Sequence, residues 1–299
     1  MIGEKASRIL ILLLILFPAF AHARVVLVVS SQDPYYLEVA AGFKKSFSGA
    51  YEEYNLRGLE DEVRRLGKDF ENSPPKLVIV IGNIAAKMAK EYCPDALVVY
   101  AAASNAAGLK FNERKVLGVA ESPSVPKMIE NIKSLFPAST RIGLIYNPQY
   151  VNKEVIELQN LSARQGFSVK AIAVTEIKQI PTALSQLLPN IDLYLMFNDP
   201  GVINSDTFPF IFLACFQKKI PIFATNLSMV KNGAIAGLAA DSASVGQELA
   251  RLGNLAFQEK AGKEKIIYPE GKLYLNMKIA AASNLTFPPQ VKDKASIIQ

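Results

Sequence analysis

The sequence predicts an α/β protein built as two doubly wound parallel-sheet lobes, and three observations carry that expectation. Continuous apolar, β-branched runs such as Val25–Val29 read as strands buried on both faces, the habit of parallel sheets. Helical stretches alternate with these runs to the end of the chain, the mark of βαβ units. The strand patterns of the first half recur, in order, in the second.

The first strand ends in Ser30-Ser31-Gln32, and a helix is expected from Tyr35 to Phe47 with Leu37, Ala40, Ala41 and Phe47 on its apolar face. Val25–Gln32 then matches Arg141–Pro148, and Lys76–Asn83 matches Asp192–Asp199 at the same offset. Ala96–Tyr100 before Ser104 matches Pro221–Ala224 before Ser228, and Val116–Ser122 matches Ala234–Asp241. The tail departs from this repetition. Asp241 to Gly262 reads as one helix, with Val245, Leu249, Leu252, Leu255 and Ala256 on its apolar face. Ile266–Tyr268 and Lys272–Asn276 read as short strands, and a helix from Asn276 to Ser283 ends before Pro288-Pro289. A single late helix after a second complete lobe implies that the chain crosses between lobes more than once.

Composition narrows the chemistry. The 299 residues are half hydrophobic and carry a formal net charge of +6, an ordinary globular balance. That charge is spread along the chain, with no basic run dense enough for nucleic acid. The single histidine, His22, lies in the N-terminal segment. Without it there is no imidazole base for a nucleophilic triad and no imidazole ligand for zinc. Cys93 and Cys215 cannot form a cysteine-rich metal site. Placed in different lobes, they are expected as two free, buried thiols.

Residues 1–23 read as a secretory signal peptide: Lys5 and Arg8, an apolar run from Ile9 to Phe20 broken at Pro18, then small residues at Ala21-His22-Ala23. No cysteine follows the run, so a lipid anchor has no attachment residue. The expected location is the periplasm.

Each recurring strand is apolar until its C-terminal end and then turns polar. Ligands of open parallel sheets bind beyond those ends, where helix N-termini also begin. Two such lobes facing each other would line a cleft with polar tips. Ordinary helix caps and turns use the same residue types.

The stretch Phe223-Ala-Thr-Asn-Leu-Ser-Met-Val-Lys-Asn-Gly-Ala-Ile-Ala-Gly-Leu-Ala-Ala-Asp241 resembles the most characteristic segment of the ABC transporter substrate-binding proteins that include tryptophan- and tyrosine-binding members. Gly143-Leu-Ile-Tyr-Asn-Pro148, Val119–Glu130 and Leu273–Pro289 are similar to other parts of that family. The resemblance implies the type 1 periplasmic binding protein fold, with three crossovers near Ser122, Ser242 and Ile266. Lobe 1 would then hold 24–121 plus 243–265, and lobe 2 would hold 122–242 plus 266–299. It implies a hinged cleft that captures a small polar solute for an ABC permease, best an aromatic amino acid, with one chain acting as a monomer and no cofactor. The loop Ala103-Ser104-Asn105-Ala106-Ala107 lacks the Asp-Pro pair that many members carry there.

An α-amino acid needs donors for its carboxylate and an anion or carbonyls for its ammonium. Asp241, at a strand tip of the second lobe, is the candidate for the ammonium, although it can equally cap the following helix. Thr225, Asn226 and Ser228 share one tip loop, and Asn198 ends the preceding strand. In the first lobe Gly82 and Asn83 open a helix whose N–H groups suit a carboxylate, with Ser104 and Asn105 as a second set. Ser31 and Gln32, with Asn147 and Gln149, lie on the opening loops of the two lobes. Tyr35, Tyr36, Tyr146 and Tyr150 are candidates to stack on a planar ligand.

No enzyme is expected, and two alternative functions stand beside the binding reading: a sensory module and, as a minor one, a Ser/Lys hydrolase. A module presenting its ligand to a membrane kinase or cyclase would use the same cleft. A hydrolase would need Ser228-Met-Val-Lys231 or Ser73-Pro-Pro-Lys76 as a Ser/Lys pair. The chain carries no Gly-x-Ser-x-Gly elbow, phosphate-binding glycine loop or dinucleotide fingerprint.

Overall fold

A computed structural model describes residues 24–103, 116–258 and 266–299. The expected signal segment, Ser104, Asn105 and the end of the helix expected to reach Gly262 lie outside the described residues. The chain opens with β1 (Val25–Val29), α1 (Pro34–Ser46), β2 (Glu52–Asn55), α2 (Glu60–Asn72), β3 (Leu77–Ile81), α3 (Asn83–Tyr92), β4 (Leu97–Ala101) and β5 (Val116–Val119). Next come α4 (Val125–Leu135), β6 (Arg141–Tyr146), α5 (Pro148–Arg164), β7 (Ser168–Ala173), α6 (Ile180–Leu187) and β8 (Leu193–Met196). The series continues with α7 (Thr207–Gln217), β9 (Ile222–Ala224), α8 (Leu227–Asn232), β10 (Ala236–Ala239) and α9 (Ser242–Phe257). It closes with β11 (Ile266–Ile267), β12 (Lys272–Asn276), α10 (Met277–Ala282), α11 (Pro289–Lys292) and β13 (Ser296–Ile298).

Local chemistry explains the boundaries. Asp33 caps α1 by accepting from the Tyr35 N–H at 2.8 Å, with Pro34 in the first turn, where its missing N–H costs nothing. Asn147 and Pro148 repeat the device at α5. β1 and β3 are buried along their whole length because helices cover both faces of their sheet.

The strands form two sheets. The first runs β11-β5-β4-β3-β1-β2, with every pair parallel. The second runs β13-β12-β10-β9-β8-β6-β7 and is parallel except between β10 and β12. β12 runs backwards because the chain re-enters from β11 through residues 268–271, with no crossover helix to turn it. Setting that pair aside, β5-β4-β3-β1-β2 and β10-β9-β8-β6-β7 occupy equivalent places. The recurrence seen in the sequence is therefore a repeat of topology.

The chain passes between the sheets three times: β5 to α4, β10 to α9, and β11 to β12. α4 packs in the core of the second sheet. α9 returns to the first, where Val245, Leu249 and Ala250 are fully buried with Val39 and Phe43 of α1. The approach of α1 and α9 is close enough that only glycine fits at Gly42 and Gly246. A Cβ on Gly246 would stand 2.2 Å from the Val39 carbonyl oxygen, and one on Gly42 2.6 Å from that of Ala243.

Cys93 and Cys215 are free and buried, one in the core of each lobe. Among the described residues no helix is long and apolar enough to cross a membrane.

Candidate functional site

Strand order decides what lies together at the C-terminal ends of the two sheets. β8 and β9 are neighbours, so Asn198, Thr225, Asn226 and Ser228 converge. Thr225 is buried, and its hydroxyl accepts from the Asn198 N–H at 3.0 Å. The Asn198 amide then reaches across to the first lobe, where its Nδ2 donates to Glu121 at 2.9 Å. Ser122 Oγ donates to Thr225 Oγ1 at 3.4 Å along the same seam. These bonds stitch the tips of β8 and β9 to the segment leaving β5.

Beside this seam, a cavity of about 610 Å³ opens in the second lobe. Asn198, Asn226 and Ser228 form part of its polar rim, together with Asn204; Phe208, Phe212 and Met229 form an apolar wall. The asparagines are oriented by capping duty. Asn226 Oδ1 accepts from the Ser228 N–H at 2.7 Å, and Asn204 Oδ1 accepts from the N–H groups of Asp206 and Thr207, each at 2.9 Å. With the oxygen turned to the helix, each Nδ2 stays a donor, and neither is hydrogen-bonded by the described residues. A cavity of this size with an apolar wall and few polar anchors suits one small organic molecule.

The loop that carries Asn204 is held by Asp199, 1 % exposed. Its carboxylate accepts from the Asn147 N–H at 2.6 Å and the Gly201 N–H at 2.8 Å, tying the tips of β6 and β8 together. Burial raises its pKa, against the pull of those N–H donors. Asn147 is itself buried and caps α5, so its side chain is spent on the scaffold, while Gln149 stays exposed.

On the first-lobe side of the seam, Glu121 accepts from Asn198, and Tyr35, Tyr36 and Asp241 lie within its electrostatic reach or that of its neighbours. Tyr35 is half-buried, and its phenol is raised by desolvation and by the charges of Glu121 and Asp241. Tyr36 is raised chiefly by burial, then by Glu121. Asp241 caps α9, accepting from Ser244 N–H at 2.8 Å and Ser244 Oγ at 2.7 Å. Burial alone would raise its carboxyl, but the donors of Ser244 and Ala243 hold it below the ordinary value. A depressed folded pKa gives stability that is present above the unfolded value near 3.8 and lost as pH falls through the folded value. Asp241→Asn keeps a good cap and removes that titration. The fall in thermal midpoint between pH 6 and pH 3 is therefore expected to be smaller in the variant, as differential scanning fluorimetry would show.

The remaining tip residues lie outside the lining of the larger cavity. Ser31 accepts from the Asp33 N–H and its carbonyl from Asn55, while Gln32 is exposed. Gly82 caps α3 at φ +92°, and the N–H of the third residue of that helix, Ala85, is taken by Ser30 Oγ at 2.9 Å. Asn83 is exposed in the first turn. Tyr146 and Tyr150 pack against the α4–β6 core, and Tyr150 also borders a smaller cavity of about 120 Å³ at the seam, lined from both lobes by Tyr100 and Glu121 and by Phe197 and Asn198. Phenylalanines of α7 line the larger cavity, which the tyrosine pattern did not indicate, while Tyr100, Tyr150 and Tyr268 border the smaller one. Glu121 was also missed, although it follows its strand as directly as Asn198 does. Ser228 Oγ receives Nδ2 of Asn232 at 3.2 Å, and no hydrogen bond joins it to Lys231.

Two repeated α/β lobes joined by three crossovers, with strand tips meeting across a seam, define the type 1 periplasmic binding protein fold. Known proteins agree. A solved domain from Streptococcus pneumoniae in complex with L-Trp superposes with a TM-score of 0.67 at 20% identity, covering 93% of this chain and 100% of that one. The ligand-free, open form of a substrate-binding protein with adhesive properties from Clostridium difficile gives 0.69 at 20% identity, covering 93% and 99%. A tyrosine-binding protein of Clostridioides difficile is 24% identical over 230 residues, 74% of this chain, and the match spans 65% of that protein's length.

The profile of the ABC transporter substrate binding protein family matches residues 40–297, and the chain belongs to that family. Of these relatives, one is named for binding tyrosine and another was solved holding L-Trp.

Proposed function

We propose that this chain captures an aromatic α-amino acid between its lobes and passes it to an ABC permease after export directed by residues 1–23. The observation that carries the reading is the cavity that sets Phe208 and Phe212 beside the amides of Asn198, Asn204 and Asn226. An aromatic side chain would lie on the phenylalanine wall, gaining burial and ring contacts. Nδ2 of Asn204 and of Asn226, with Ser228, would receive the carboxylate. Glu121 and Asp241 across the seam would face the ammonium, a charge-assisted contact of the stronger kind. Lobe closure would bring the two sides together, and a single chain supplies both walls. The relatives that bind tyrosine or hold L-Trp support this chemistry.

The test is a thermal-shift screen of the chain from Arg24 onward with tyrosine, tryptophan, phenylalanine and non-aromatic amino acids. A ligand at 100 times its Kd adds about 2.7 kcal/mol. For a chain of this size that raises the midpoint by roughly 5–10 °C. Asn226→Asp preserves the helix cap and replaces the amide donor by a carboxylate. It is expected to weaken the aromatic amino acid at least about tenfold, which corresponds to about 1.4 kcal/mol. An undiminished shift in Asn226→Asp, or stabilisation by other solutes alone, would sink the assignment.

A further inference from the structure

α7 reads Thr-Phe-Pro-Phe-Ile-Phe-Leu-Ala-Cys-Phe-Gln and is apolar all round. A helix of that kind is normally enclosed on every side. Here only Thr207, Ile211 and Cys215 are buried. Phe210, Leu213 and Phe216 are 45 %, 52 % and 39 % exposed, and their spacing of three places them on one outward stripe. The stripe ends in Lys218 and Lys219, both exposed, and Lys219 shares a shallow groove with Phe216. Lys231 on α8 and Lys278 on α10 are exposed on helices next to that groove, which Gly233 and Ile279 also line. None of these four lysines is ion-paired among the described residues.

We propose that the outer face of α7, with its lysine border, is a docking surface for an anionic lipid membrane. Charge and size both choose this occupant. Unpaired lysines beside exposed aromatic and aliphatic side chains are the chemistry of interfacial helices, where apolar groups enter the headgroup boundary and cations meet anionic lipids. A stable contact between two protein surfaces needs about 800 Å² from each partner. Eleven residues of helix span only roughly 16 Å, so one stripe of three side chains falls well short of that area. Phe208 and Phe212 of the same helix line the ligand cavity, so docking through α7 would hold that cavity next to the bilayer.

The test is flotation of the chain from Arg24 onward, which carries every described strand and helix, with vesicles of phosphatidylethanolamine and phosphatidylglycerol or of phosphatidylcholine alone. The chain should float with the anionic vesicles and at least five-fold less with the neutral ones. Phe210→Ser/Leu213→Ser and, separately, Lys218→Glu/Lys219→Glu should each cut the floated fraction at least five-fold, with thermal midpoints within a few degrees of the parent confirming the fold. Absence of flotation with anionic vesicles, or equal flotation of the variants, would overturn the proposal. So would a dimer in sedimentation without lipid that the Phe210→Ser/Leu213→Ser variant abolishes, because the face would then belong to a second copy.

Discussion

Replacing Gly246 by valine is expected to lower the thermal midpoint by roughly 10 °C, on the order of 3–5 kcal/mol. The Cβ would stand 2.2 Å from the Val39 oxygen, 2.7 Å from the Phe43 nitrogen and 2.9 Å from the Gly42 Cα, all of them backbone. No rotamer change can relieve backbone overlap, so α9 must move away from α1. That separation opens a core in which Val39, Phe43, Val245 and Leu249 are fully buried. Close packing makes such gaps costly. The effect should concentrate in the first lobe, because α9 reaches it only through the crossover after β10. Hydrogen exchange would show α1, β3 and α9 losing protection ahead of β6 and β8. Gly166→Ala is the control: its φ is +85°, but nothing lies within 4 Å of the new Cβ. It carries only the backbone cost, about 1 kcal/mol. Equal losses at the two glycines would contradict the packing argument.

The second large effect is expected at Asp199. Asp199→Ala removes a buried carboxylate and leaves the Asn147 and Gly201 N–H groups without their acceptor. Each stranded buried donor costs about 1–3 kcal/mol, so the variant should lose roughly 3–5 kcal/mol. The thermal midpoint should fall by roughly 6–15 °C. The loop it anchors carries Asn204 and leads into Phe208, so ligand binding should weaken as well. Asp199→Asn separates the two effects. One amide oxygen can still accept, but its NH2 faces an N–H donor, so an intermediate loss of stability is expected. If ligand-induced stabilisation were unchanged in both variants, the loop would not position the cavity.

Much of this architecture was legible in the sequence. Apolar runs such as Leu77–Ile81 and Leu193–Met196 announced strands buried on both faces, and their order in each half foretold two equivalent sheets. The reason is local: period, run length and polar strand ends are written residue by residue. The antiparallel β12 was not legible, because strand direction depends on where the chain re-enters the sheet. The strand tips illustrate the same limit. Asn147 and Asn226 both follow a strand and cap a helix, so no sequence pattern separates them. In the fold Asn147 is enclosed against the Asp199 loop, whereas Asn226 borders the cavity.

By itself, then, the sequence determined the two-lobed α/β class, a late helix that breaks the repeat, and strand ends rich in capping side chains. Only the tertiary structure decided which of those side chains converge. Asn198 meets Glu121 from 77 positions away in the chain, and Phe208 and Phe212 become a cavity wall because α7 lies beside α8 at the sheet's end. Local periodicity specifies elements. The neighbours of a strand tip depend on long-range packing, which brings together residues that share no local signal.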